Sequence, residues 1–379
     1  MEDLEDPSLF NYLDSQLDRL CGIVGIDSES ASVLLADLLG PAGRRPLSLP
    51  PAWPSGVADD HTPVEFSIAF NENERPTLRI LGETLDSVPS AATNLAAARR
   101  FVEAQAARFG LSMSQFDRVC DLFATSHPLG GFGLWYSLVF RPRGRADFKA
   151  YFNPELKGVE QAPNLVAEAL DRLGVGRPYR EMLRHSIRPG ELGRADRLTF
   201  FALDLHDGPH ARIKLYLSHH DAEVRDVVRA AKVVQSIDAD EVAEFCIAAG
   251  GGTDTFAGRP LVGSYTFLGD TNGPVGYSIY VPIRSYVSDD EEARDRVAAL
   301  LDRYGFDSSE LDRIITAMVS RPLREGVGLI AHISLRLGLP RPGVTVYLSA
   351  EAYQVSPPRP RRQPTARDDA QRPADCCAG

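Results

Sequence analysis

The chain has 379 residues, 44% of them hydrophobic, so it can bury a large core as one domain or as two smaller ones. Its formal net charge of −11 argues against nucleic acid or an anionic membrane as the main partner. The five cysteines show no metal-ligand spacing and no apolar run is as long as a membrane span, so we expect a reduced, cytoplasmic protein.

The stretch up to about Gly40 is predicted to form two amphipathic helices, the second of which ends at Gly40-Pro41. A proline-rich connection, 46–54, leads to a predicted strand pair. The same order of two helices and two strands then recurs four times along the chain. The predicted strands are 63–70 and 77–81, 134–140 and 147–152, 198–205 and 212–217, 263–268 and 276–281, and 328–337 and 344–348. The helices predicted between the strand pairs are 91–109 and 114–123, 164–173 and 180–185, 221–234 and 239–248, and 289–304 and 309–319.

Successive strand pairs begin about 65 to 71 residues apart, a period that indicates a repeated supersecondary unit. Five helix–helix–strand–strand units supply ten strands in hairpins, which is enough to close a wide antiparallel barrel. The predicted class is α+β, with the aliphatic strand faces covered by helices and the polar faces lining a solvated lumen. We expect 1–355 to form this single domain and the Pro/Arg-rich segment 356–379 to be a disordered tail.

The polar faces of these strands carry an unusual selection of residues. In the strand after residue 211, Arg212, Lys214 and Tyr216 alternate with branched aliphatic residues. Three other strands repeat the pattern and always place a tyrosine on the polar face. Their polar residues are Lys149 with Tyr151, Ser278 with Tyr280, and Thr345 with Tyr347. One such strand is usually just a solvated sheet face, but four of them favour a common site.

The cations Arg79, Lys149, Arg212 and Lys214 come from three different units and would point into one lumen. They have no carboxylate opposite them in their own strands, which favours binding of a diphosphate. The four tyrosines would offer aromatic faces to a carbocation.

Glu65 is the only carboxylate on these motif strands. It is the predicted acceptor for an electron-rich N–H, with an ordinary edge carboxylate as the alternative.

Two acidic or histidine-containing motifs have simpler explanations than metal binding. The run from Asp289 to Asp295 resembles an aspartate-rich metal box but lacks its third aspartate, and Ser288 with Glu291 predicts a helix capping box instead. His219 and His220 precede Asp221 where a strand gives way to a helix, so Asp221 is predicted to be a helix cap.

The combined motifs resemble the dimethylallyltryptophan synthase family, the indole prenyltransferases of the αββα barrel fold, and its bacterial branch in particular. The strings that carry the resemblance are Pro63–Ser67, Lys149–Pro154, Arg212–Tyr216 and Tyr280–Pro282, and the resemblance covers about residues 5 to 352.

The resemblance implies that Glu65 binds the indole N–H and that the four cations hold the diphosphate. It also implies that Tyr151, Tyr216, Tyr280 and Tyr347 shield the allyl cation. Ser278 stands where the family often has Lys or Gln, while His332 and Arg336 are the nearest candidates for further fifth-unit contacts. The expected reaction moves a dimethylallyl group from its diphosphate to a ring carbon of L-tryptophan or a related indole. We expect no cofactor or divalent metal, no nucleic-acid or membrane partner, and a monomer or weak homodimer.

Two alternatives remain open on the sequence. The same donor could serve a phenolic or cyclic-dipeptide acceptor, or the barrel could bind an anionic metabolite without catalysis.

Overall fold

The computed structural model describes residues 6–360 except 73, 126, 143, 270, 340 and 341. Most of the predicted tail, 361–379, therefore lies outside the described residues. Just before it, the Val327 N–H donates to the Ser356 carbonyl (3.0 Å) and the Arg359 N–H to the Ser288 carbonyl (2.7 Å).

Twelve strands are present in the described part of the chain, and ten of them form the barrel. The strands are β1 (Val64–Asn71), β2 (Thr77–Gly82), β3 (Leu134–Phe140), β4 (Asp147–Phe152), β5 (Asp196–Asp204), β6 (Ile213–His219), β7 (Ala222–Glu223), β8 (Thr255–Phe256), β9 (Leu261–Phe267), β10 (Gly276–Val281), β11 (Ile330–Gly338) and β12 (Gly343–Ser349). The short strands β7 and β8 pair with each other in a small ribbon, which the sequence analysis did not predict.

The other ten strands form a closed antiparallel barrel in the order β1-β12-β11-β10-β9-β6-β5-β4-β3-β2. Closure occurs where β1 pairs with β12, so that Ser67 lies opposite Tyr347. The prediction of a ten-stranded closed barrel is confirmed. Every pair of neighbouring strands in the barrel is antiparallel, and each hairpin joins two neighbours. All five hairpin turns therefore lie at one end of the barrel.

Ten α-helices surround the barrel in the described residues, in five consecutive pairs as predicted. They are α1 (Leu9–Val24), α2 (Ser28–Leu39), α3 (Ala91–Phe109), α4 (Ser114–Val119), α5 (Ala162–Arg172), α6 (Gly176–Ser186), α7 (Val224–Ala231), α8 (Ala239–Ala249), α9 (Asp290–Arg303) and α10 (Ser309–Met318). No helix in this part of the chain is both long and apolar enough to cross a bilayer.

The hydrophobic core lies between the helices and the outward faces of the strands. Aromatic rings join the two layers: Phe101 of α3 contacts Tyr136 of β3, and Phe116 of α4 contacts Phe152 of β4, each at 5.2 Å between ring centroids. Burying these rings outside the barrel leaves the alternate strand positions to point inward, which gives the polar lumen that the alternation predicts.

The predicted cap of α9 is wrong by one residue. Asp289 rather than Ser288 is the N-cap, and its carboxylate accepts the Glu292 N–H at 2.9 Å. Glu292 in turn accepts the Ser288 N–H at 2.7 Å, while Glu291 forms an ion pair with Arg324. The acidic run therefore begins a helix, although in a different register.

The predicted cap at Asp221 is also wrong. Asp221 has a positive φ of 49°, and α7 is capped by Glu223, which exchanges hydrogen bonds with Asp226. The neighbouring His219 is buried and contacts Asp196 at 2.9 Å between Nδ1 and Oδ1.

Candidate active site

A cavity of about 480 Å³ occupies the barrel lumen and is lined by inward side chains from all ten barrel strands. Every site residue predicted from the sequence lines it. These residues are Glu65, Arg79, Lys149, Tyr151, Arg212, Lys214, Tyr216, Ser278, Tyr280, His332, Arg336 and Tyr347.

The strands arrange these side chains in layers along the barrel axis. On β4 and β6 the lysine is nearer the hairpin turn, and the tyrosine follows two residues further along the same face, as Lys149 with Tyr151 and Lys214 with Tyr216. On β11 the order from the turn end inward is Arg336, then His332. The cations therefore lie toward the turn end and the aromatic rings deeper in the barrel.

Asp204 lies among the cations at the turn end. It is opposite Lys149 in the register of β4 and β5, and its Oδ1 is 3.1 Å from Lys149 Nζ. Its Oδ2 accepts from Arg212 Nε at 2.6 Å. The expectation that these cations face no carboxylate is therefore wrong, since Asp204 fixes two of them in place.

The charged layer nevertheless has an excess of positive charge. Burial and the nearby Arg212 lower the pKa of Lys149 to about 8, although Asp204 opposes this change. Burial and the other cations hold the pKa of Lys214 well below its usual range and lower that of Arg336 to about 10. A multiply charged anion in this layer would oppose these shifts, because it would stabilise the charged forms of the three side chains.

The four tyrosines form a continuous aromatic belt around the lumen. Tyr151, Tyr216, Tyr280 and Tyr347 follow one another with ring centroids 5.8 Å apart at each step. Lys214 Nζ lies 5.3 Å from the centroid of the Tyr216 ring, at the boundary with the charged layer. The rings are tilted by about 50° to their neighbours, and aromatic faces that line a cavity in this way can stabilise a cation.

Glu65 lies on the other side of the aromatic belt from the hairpin turns. Its side chain is buried, and burial raises its pKa to about 8, with Asp59 raising and Arg284 lowering it. His332 lines the same region, and burial together with Arg284 holds its pKa well below its usual range, so that it is neutral. This end can offer a carboxyl group to a bound N–H.

A short stretch that follows the proline-rich connection covers the Glu65 end of the barrel. Ser55 is buried and donates to Glu83 Oε2 at 2.6 Å, and Val57 packs with Trp135 and Phe132 in a separate apolar cluster. Burial raises the pKa of Glu83 to about 7, countered in part by Ser55, Trp135 and Trp53 around it.

Several lining residues were not predicted from the sequence, each for a different reason. Asp204 alternates with Phe200 and Ala202, so its strand shows no polar face. Arg284 follows β10, but it continues the same phase as Ser278 and Tyr280, and that signal could have identified it. Trp135 and Val57 lacked any distinguishing pattern.

Within the described residues, no group of three or more His, Cys, Asp or Glu side chains is placed to hold a metal ion.

Comparison with known proteins identifies relatives over nearly the whole chain. A family model described as tryptophan dimethylallyltransferase matches residues 32–246. A solved structure of 6-dimethylallyltryptophan synthase from Micromonospora olivasterospora, in complex with DMASPP and Trp, is 68% identical, with a TM-score of 0.91 over 93% of this chain and 99% of that one.

Two further structures are less similar in sequence. The prenyltransferase PriB, in a ternary complex with L-tryptophan and dimethylallyl thiolodiphosphate, is 39% identical, with a TM-score of 0.87 over 93% of this chain and 99% of that one. The 5-dimethylallyltryptophan synthase from Streptomyces coelicolor is 34% identical, with a TM-score of 0.85 over 93% of this chain and 100% of that one.

Proposed function

This chain belongs to the tryptophan dimethylallyltransferase family, and from that premise we propose that it transfers a dimethylallyl group from dimethylallyl diphosphate to carbon 6 of the indole of L-tryptophan. Family membership makes it an aromatic prenyltransferase, which sets aside the alternative of a non-catalytic barrel. The choice of carbon 6 is supported by the 68% identity to a 6-dimethylallyltryptophan synthase.

The observation that carries the proposal is the order of chemical groups along one cavity inside the barrel. Cations lie at the turn end, the tyrosine belt follows, and Glu65 lies beyond it. Dissociative prenyl transfer needs these three environments in that order, for the diphosphate, the allyl cation and the indole.

The chemistry follows from this order. The C–O bond of the donor breaks, and its electron pair leaves with the diphosphate, whose charge Arg79, Lys149, Arg212 and Lys214 stabilise. The tyrosine belt shields the allyl cation from water. The indole carbon then attacks this cation, and the ring loses a proton to restore aromaticity.

Glu65 would act on the acceptor throughout this sequence. As a carboxylate it accepts the indole N–H and raises the electron density of the ring as the ring attacks, so the contact strengthens in the transition state. Arg336 and Ser278 lie opposite each other in β11 and β10 and would complete the donor cradle. The cradle would replace a metal ion, because its own cations supply the charge.

The test is turnover with dimethylallyl diphosphate and L-tryptophan, followed by mass and by NMR of the product. We expect the gain of one dimethylallyl group, attached to carbon 6. Attachment at another ring carbon would overturn only the ring position. Preference for a phenol or a cyclic dipeptide would overturn the acceptor, and donor binding without product from any indole would overturn the whole proposal.

A variant of the donor site tests, in the same assay, whether the cations bind the diphosphate. Lys214→Ala removes a buried cation and should raise the KM of the donor and lower turnover, with a loss of roughly 10- to 100-fold in kcat/KM and a smaller effect on tryptophan binding. Unchanged donor kinetics would show that Lys214 does not contact the diphosphate.

A further inference from the structure

His206 is a partly exposed histidine that lines the turn end of the cavity. It lies in the turn between β5 and β6, two residues after Asp204, and its side chain is 43% exposed. His206 Nε2 is 3.7 Å from Asp204 Oδ2, the same oxygen that accepts from Arg212 Nε at 2.6 Å. The imidazole therefore lies between the charged layer and the solvent.

One contact determines which ring nitrogen of a neutral His206 carries the hydrogen. Nδ1 is 3.2 Å from the carbonyl oxygen of Asp207, and because a carbonyl can only accept, Nδ1 is the donor. Nε2 of the neutral ring then has a lone pair and cannot donate to an anion. A proton on Nε2 turns this atom into a charged donor next to the charged layer.

The other charges near the His206 ring come from its own turn and from β4 and β6, the two strands that flank β5. They are Asp147 and Lys149 of β4, Arg212 and Lys214 at the start of β6, and His210 of the turn.

The carboxylates of this region already have partners. Asp147 is paired with Arg141, and the Asp207 carboxylate accepts from Ser112, which does not line the cavity. Asp204 is the one carboxylate within ion-pair distance of the His206 ring in the described residues, and it is also bound to Lys149 and Arg212. A protonated His206 therefore has little negative charge to itself until an anion enters the cavity.

The donor would bring such an anion to this place. With its allyl group at the tyrosine belt, the terminal phosphate is the part of dimethylallyl diphosphate farthest from the belt, toward the hairpin turns. An imidazolium there attracts the phosphate, and by linkage the anion and the proton on Nε2 each strengthen the binding of the other.

On the basis of the proposed function, we propose that His206 is a proton-dependent contact of the terminal phosphate, so that the site takes up a proton on Nε2 when it binds a diphosphate. The proton stays on the ring while the C–O bond of the donor breaks, and its charge helps to stabilise the departing diphosphate. When the proton returns to water, the lone pair of Nε2 again faces the anion, which favours release of the diphosphate.

Calorimetric titration with pyrophosphate tests this contact without turnover. Binding at about pH 6.5, in two buffers of different ionisation enthalpy, gives the number of protons that the protein takes up. His206→Gln should take up fewer protons than the wild type and bind pyrophosphate roughly 3- to 10-fold more weakly. At about pH 9 the two proteins should bind it alike, because an ordinary histidine is neutral there.

His206→Lys is the rescue variant, since a lysine at this exposed position is charged at both pH values. It should bind pyrophosphate more tightly than the wild type at about pH 9. Melting temperatures show that each variant is folded, and His206→Lys carries the test if His206→Gln is not.

His210→Gln is the matched control. His210 lines the cavity from the same turn, but it is His206 that contacts Asp204. The control should keep the proton uptake of the wild type and its pH dependence of pyrophosphate binding.

Two results would overturn the contact. One is equal proton uptake in His206→Gln and the wild type. The other is an equal loss of affinity in His206→Gln at both pH values, which would mean that the ring contributes its shape rather than its proton. A protein that shows the expected proton uptake but prenylates no indole would instead refute the proposed function and leave this anion contact in place.

Discussion

At the scale of single residues, Glu65 shows a conflict between stability and activity. Its side chain is 5% exposed, and burial raises its pKa to about 8, so in the empty cavity it is mostly neutral at pH 7. Its proposed role needs the carboxylate. The wild-type kcat/KM for tryptophan should therefore rise with pH and level off above about pH 8, because this parameter reports the ionisation of the free enzyme.

Glu65→Gln keeps the shape of the side chain but removes its charge, so kcat should fall by about 100-fold or more and the rise below pH 8 should disappear. A steady-state pH profile of both proteins measures this. Near-wild-type turnover in the variant would leave Glu65 as an ordinary buried carboxyl group.

The same substitution should stabilise the fold at high pH. The folded protein holds a proton on Glu65 that the unfolded chain releases near pH 4.3, so wild-type stability falls as pH rises from there to about 8. Melting temperatures should be similar at pH 4.5, while at pH 8.5 the variant should be more stable by roughly 1 kcal/mol or more. Equal melting temperatures at both values would contradict the raised pKa.

For Asp204, as for Glu65, a contribution to the stability of the fold can be measured separately from a contribution to the site. In this case the second contribution is to the binding of an anion. Asp204→Asn leaves Lys149 and Arg212 without their anion, so the free energy of unfolding should fall by about 3 kcal/mol. Added pyrophosphate should then raise the melting temperature of the variant more than that of the wild type, because it supplies the missing negative charge.

The control for that measurement is Asp147→Asn. Asp147 also lines the cavity at the turn end, but its ion pair with Arg141 is exposed, so the variant should be nearly as stable as the wild type. An equal pyrophosphate response in Asp204→Asn and the wild type would argue against Asp204 as the counter-ion of the cradle.

At the scale of secondary-structure elements, the alternation of aliphatic and polar residues predicted the bounds of several strands correctly. The bounds predicted for β3, β4 and β10 agree with the structure, because aliphatic residues outside and polar residues inside give a clear period of two. Asp204 was missed because register between strands depends on contacts distant in sequence, and because the residues that precede it on its own face of β5, Phe200 and Ala202, are apolar. The caps near Ser288 and Asp221 were misplaced because neighbouring acidic residues compete for the same N–H groups.

The segment around Ser55 is an element that the sequence suggested only as a connection. Its anchor is Glu83, which lies just beyond β2 on the same face as Arg79 and Leu81. Glu83→Ala should loosen this cover over the acceptor end and raise the KM of tryptophan by about 5- to 10-fold, with a much smaller effect on the KM of the donor.

Steady-state kinetics with each substrate varied in turn checks this expectation. Ser48→Ala is the control in the adjoining proline-rich connection, since Ser48 bonds to the exposed Asp6 and does not line the cavity. A parallel rise in both KM values for Glu83→Ala would indicate general disruption of the barrel.

At the scale of the whole molecule, charge is distributed against the overall balance. The chain carries a net charge of −11, yet the turn end of the lumen gathers five cations from four strands, β2, β4, β6 and β11. A closed barrel allows this because the strands leave no exposed edge and present one face to the lumen all the way around. The repeat of two helices and two strands made this architecture predictable, since each unit has an aliphatic face that its own helices cover.

The distribution of charge leads to the last prediction, which concerns metal ions. The cradle of Arg79, Lys149, Arg212, Lys214 and Arg336 can balance a diphosphate without a divalent cation. Turnover in excess EDTA should therefore stay within about twofold of turnover with Mg²⁺, a difference well below one tenfold step in rate. If the protein's cations take the place of a metal, Lys214→Ala should gain more from added Mg²⁺ than the wild type does. Parallel assays of both proteins with EDTA and with Mg²⁺ measure this, and a complete loss of wild-type activity in EDTA that Mg²⁺ restores would show that the cradle depends on a metal.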